Sequence, residues 1–123
     1  AKFEKECILL TGDAFQDVLL DGLTQYAEEE SLSHVKIDEF KLPHHGSASN
    51  ISIDLLNMIQ TNRYLISTNG SYYKHPDRTT INLICRTHHE GIPTIVFNYK
   101  SETTKLWDDP LKEKELGYKA IYL

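Results

Sequence analysis

Short apolar runs with strand character alternate with amphipathic helical stretches along this chain, and that alternation limits its fold more than any other feature. Cys7 to Leu10 is the first such run. Leu19, Leu23, Tyr26 and Ala27 then recur at helical spacing, predicting a helix from about Phe15 to Glu29 with one apolar stripe. Val35, Ile37, Phe40 and Leu42 predict a second strand, and Ser49 to Ser52 offer caps for a helix carrying Leu55, Leu56 and Ile59. Tyr64 to Ile66 predict a third strand. It is followed by a turn-rich loop from Ser67 to Asp77 and a helix whose Ile81, Ile84, Cys85 and His88 share a face. Thr94 to Tyr99 read as a fourth strand; Pro110 and Gly117 bracket a last helix, and Tyr118 to Leu123 close as a strand. The fold class is therefore α/β. Strands joined by helices usually run parallel, so the C-terminal ends of the first three should share one edge of a sheet, unless an antiparallel member intervenes.

The 123 residues form one domain by length, without repeat, linker or low-complexity segment, and need no staple to build a core. A formal net charge of -5, from 13 basic and 18 acidic residues, argues against nonspecific nucleic-acid binding driven by phosphate neutralisation. It leaves a nuclease open, because a pair of divalent metals would bring about four positive charges of its own. Cys7 and Cys85 fall in no paired motif and read as buried free thiols, which fits a reducing, cytoplasmic setting. No apolar run reaches the length of a secretory core or a membrane span.

Two strings carry the chemistry: Leu10-Thr11-Gly12-Asp13, and Leu42-Pro43-His44-His45-Gly46-Ser47. Each follows a strand run, so a carboxylate and imidazoles emerge where strands end, which is where α/β folds place their sites. Carboxylate and imidazole are also the usual ligands of divalent metals in hydrolases. Gly12 leaves room around Asp13, whose two oxygens can bridge two cations, although Thr-Gly-Asp alone also fits an Asp-capped turn. His44 and His45 are adjacent and on extended backbone point apart, so one of them can share a metal with Asp13. The other is then available for acid or substrate work. His75, in the loop after the third strand, is a candidate contact to a substrate oxyanion or a proton donor to a leaving group. Ser47, Ser67 and Asn69 could line the same pocket. His88-His89-Glu90 reads as a helix end, since neighbours on a helix diverge by about 100°. His34 has no partner in the pattern, and Trp107 beside Asp108 and Asp109 reads as a loop anchor.

With these residues in place the chain resembles the metallo-β-lactamase-fold hydrolases, most closely the ComEC-like competence hydrolase domain. The matching strings are Ile8 to Asp13, Lys41 to Ser47, Leu65 to Asn69 and Lys74 to Asp77, within about residues 7 to 85. The resemblance implies that Asp13 bridges two metal ions, most simply zinc, and that one of the paired histidines is the last metal ligand of the fold. His45 is favoured because it directly precedes Gly46, with His44 open. It places His75 near the active site, and it implies metal-activated water attacking an ester, amide or phosphodiester.

The family's His-X-His-X-Asp-His signature precedes the Gly-Asp string, whereas the first histidine of this chain, His34, follows Asp13. The resemblance therefore covers the C-terminal half of an αββα sandwich, one partial domain over residues 1–123. Its partner is the N-terminal half or a second copy covering an exposed sheet face. One carboxylate and one or two imidazoles fall short of the three or four ligands of a zinc site, so this chain alone should bind metal weakly and be inactive. A noncatalytic binding or assembly module that lacks the metal cluster is the alternative.

Overall fold

The computed structural model describes residues 2–3, 6–11, 15–43, 51–67, 76–88, 91–98 and 100–123. Its main element is a six-stranded sheet. β1 (Lys2–Phe3) pairs antiparallel with β2 (Glu6–Leu10), and α1 (Gln16–Glu29) follows. The chain then forms β3 (Val35–Lys36), β4 (Glu39–Lys41), α2 (Ile53–Met58), β5 (Ile59–Gln60) and β6 (Arg63–Ile66). It ends with α3 (Arg78–Thr87), β7 (Thr94–Phe97), α4 (Glu102–Lys105), α5 (Pro110–Leu116) and β8 (Lys119–Tyr122). The sheet order is β1-β2-β4-β6-β7-β8, and every neighbouring pair from β2 onward is parallel.

In this order each new parallel strand joins on the same side of the one before it, so the winding direction never reverses. With the right-handed crossover that parallel strands adopt, such winding keeps the connecting helices on one face of the sheet. Burial agrees with that placement. In register across the sheet, Leu9, Phe40, Tyr64, Ile95 and Ala120 form one row, with Ile66, Phe97 and Tyr122 two residues further along. These side chains join Leu55 and Leu56 of α2 and Ile81 and Ile84 of α3 in a single hydrophobic core. The alternate positions form the other face. There Leu10, Lys41, Leu65, Val96 and Ile121 lie in register outside that cluster; Leu10 is 63% exposed, Lys41, Leu65 and Ile121 are half-buried, and Val96 is buried.

Several boundaries differ from the sequence reading. The run Val35 to Leu42 is two strands in two sheets, because Ile37 donates its amide to the carbonyl of Gln60 and Asp38 leaves that pairing to brace β2. Cys7 N–H donates to Asp38 Oδ2 at 2.6 Å and Asp38 N–H donates back to the Cys7 carbonyl at 2.8 Å. The break falls where the apolar alternation slips by one residue, at Asp38-Glu39 between Ile37 and Phe40. β3 instead pairs with β5 in a small parallel sheet, which places Ile59 in a strand and ends α2 at Met58. On α1, Leu19, Leu23 and Ala27 turn inward at spacings of four, while Tyr26 falls at the edge of that stripe and is exposed. Both cysteines are free, as expected, but half-buried rather than buried. Ser52 caps α2 by accepting from the Leu55 amide, and Gly117, at φ 80°, ends α5 in the left-handed conformation that glycine adopts without strain.

Candidate functional site

The ends of β2, β4 and β6 share one edge of the sheet, as the alternation predicts, and side chains fasten them there. Thr11 Oγ1 donates to the Lys41 carbonyl at 2.7 Å, joining the first residue past β2 to the last residue of β4. Leu42 N–H donates to the Leu65 carbonyl at 2.9 Å, carrying the ladder one residue beyond β4. One strand further on, Asn98 Nδ2 donates to Ser67 Oγ at 2.8 Å. The antiparallel β1 pairs outside β2 and leaves this arrangement intact.

Segments 12–14, 44–50 and 68–75 all leave from this edge, rooted at Thr11, Pro43 and Ser67. They carry Asp13, His44, His45, Ser47, Asn69 and His75, all of which lie outside the described residues. The structure thus brings together the roots of the three segments. Among the described residues, no three His, Cys, Asp or Glu side chains gather to hold a metal.

The remaining histidine readings divide. His88 caps the end of α3, as expected of a helix end, with its ring edge-on to Tyr64 at 6.2 Å; His89 and Glu90 lie outside the described residues. His34 does have a partner: its Nε2 lies 2.7 Å from Gln60 Oε1, a contact between residues 26 apart that local pattern could not reveal. Trp107 anchors the segment before α5. It is only 6% exposed, its carbonyl accepts from Tyr118 Oη at 2.6 Å, and the two rings meet edge to face.

A cavity that sequence reasoning missed opens at the opposite edge, where β4 and β6 begin. Its volume is about 630 Å³, and Asp38, Glu39, Gln60, Thr61, Arg63 and His88 are among its lining residues. The polar groups there brace the strand starts. Arg63 Nε donates to Glu39 Oε1 at 2.8 Å, and Thr61 Oγ1 donates to the Asp38 carbonyl at 3.1 Å. The slip in apolar alternation at Asp38-Glu39 was the signal available in the sequence.

Proton affinities in the described residues are displaced by burial. Burial, with a smaller contribution from Cys85, raises the Tyr64 hydroxyl to about 12. Burial alone raises the Cys85 thiol to about 11, and burial followed by Glu113 is what raises Tyr118. These groups belong to the core side of the sheet and stay protonated at neutral pH. They mark packing rather than a reactive centre.

No described helix is long and apolar enough to cross a membrane. No known family profile matches the chain, and neither the curated proteins nor the solved structures hold a match.

Proposed function

We propose that this chain is the C-terminal half of a metallo-β-lactamase-like, metal-dependent hydrolase, forming one sheet-and-helix layer pair of an αββα sandwich. The observation that carries the reading is the second face of the sheet. Parallel sheets are ordinarily covered on both sides, yet on this face Leu10 is 63% exposed and Leu65 and Ile121 are only half-buried, in register with a buried Val96 that lies outside the helix-side cluster. A sheet from the other half, or from a second copy, would cover Leu10 and the exposed parts of Leu65 and Ile121, as sandwiches do. Three segments bearing Asp13, the paired histidines and His75 leave the same edge, which supports a cleft at that end.

In this reading Asp13 and one of His44 and His45 hold metal from one wall, and the complementary half supplies the remaining ligands. A bound metal pair contributes activated water for attack on an ester, amide or phosphodiester. His75 is the candidate contact to the substrate or its leaving group.

Metal analysis and hydrolysis of an activated phosphodiester, measured on the purified chain and on a longer product including the upstream coding region, test the proposal. The expected result is substoichiometric zinc and no turnover for the chain alone, and bound metal with turnover for the longer product. Stoichiometric tight zinc with robust hydrolysis by the chain alone would overturn it, as would an upstream region lacking a His-X-His-X-Asp-His string.

A further inference from the structure

A second cavity, of about 410 Å³, lies between the first turn of α3 and the α4–α5 segment. Its size falls within the range of about 300–1,000 Å³ typical of small-molecule pockets. Its apolar lining comes from Pro76, Leu106, Trp107 and Leu116. Leu106 is 57% exposed at the surface, while Trp107 is nearly buried.

The wall is held in place. Tyr118 fixes the Trp107 backbone. Lys112 Nζ donates to the Leu106 carbonyl at 2.8 Å and sits 5.2 Å from the centre of the Trp107 ring, so the cation is anchored beside the indole. Arg78, exposed on α3, adds a second cation, against the single carboxylate of Glu115. Among the charged residues that line the cleft two are cations and one is an anion, while Asp108, Asp109 and Glu113 act on Tyr118 behind the Trp107 wall.

From this juxtaposition we propose that the cleft binds a small amphiphilic organic anion, an apolar chain bearing one carboxylate. The chain lies against Leu106, Leu116 and Trp107, and the carboxylate faces Arg78 and Lys112. Apolar burial contributes most of the binding and charge selects the headgroup. The site stands independently of any metal chemistry at the sheet edge.

Trp107 is the chain's only tryptophan, so its indole N–H gives a single resonance that reports on the cleft. The test is titration of the folded chain with octanoate and, separately, with octanol, following that resonance and the backbone amides. Octanoate is expected to shift the indole signal saturably and to bind more tightly than octanol. Arg78→Glu should weaken octanoate about fivefold and leave octanol unchanged, in line with one partly exposed ion pair. Leu106→Asp should weaken both. Both positions are exposed, and an otherwise unchanged amide spectrum verifies that each variant is folded. Equal binding of octanoate and octanol, no effect of Arg78→Glu, or shifts confined to Leu65 and Val96 on the far sheet face would overturn the proposal.

Discussion

Thr11 Oγ1 donates a 2.7 Å hydrogen bond to the carbonyl of Lys41, tying the tips of two parallel strands 30 residues apart in sequence. The next residues along each strand lead to Asp13 and to His44 and His45. This bond therefore sets the spacing of the two roots from which the candidate ligands depart. Thr11→Val keeps the shape and removes the donor, and should cost about 0.5–1.5 kcal/mol. A lower urea midpoint with an unchanged m-value is the expected readout, with Thr11→Ser close to the parent.

The two faces of the sheet should respond differently to substitution. Ile95 is fully buried against the helices, so Ile95→Ala should destabilise by about 2–5 kcal/mol through lost contacts and a residual cavity. Leu10→Gln, on the opposite face, should change stability by no more than about 0.5 kcal/mol in the isolated chain. The same substitution should weaken any assembly through that face. Denaturant melts read the first effect, and sedimentation over a concentration series reads the second.

Stability should fall in alkali. Cys85 is raised from 9.0 to about 11 and Tyr64 from 10.0 to about 12, so both keep their protons in the folded chain after the unfolded chain has lost them. Their contribution is complete below 9.0 and declines as the pH climbs through the folded values, because the native state then binds more protons than the unfolded one. Urea midpoints measured across the alkaline range should decline, and Cys85→Ala should flatten the earlier part of that decline.

His44 and His45 can be told apart in the longer, metal-loaded product. If His45 is the ligand, His45→Asn lowers both bound metal and turnover, while His44→Asn lowers turnover with metal retained. Metal content measured alongside activity for both variants decides between them. The reverse pattern would assign the ligand to His44.

Local pattern set the α/β order and most helix limits. The 3.6-residue period of Leu19, Leu23 and Ala27 marks α1, and Pro110 with Gly117 brackets α5, because caps and amphipathic faces depend on neighbours a few positions away. Pairing was not legible at that range. The division of Val35 to Leu42 between two sheets depends on Gln60 and Cys7, each more than 20 residues distant, and His34 finds Gln60 only once β3 and β5 align. The strings around Asp13 and His44-His45 told which chemistry to look for. The alternation led to the expectation of a shared edge, which the parallel strand order realised, and only the register between strands set exposed Leu10 and half-buried Leu65 and Ile121 on a face outside the helix-side cluster. Hydrogen bonding between distant strands decides which side chains share a face, and a period of two along one strand cannot say what will cover it.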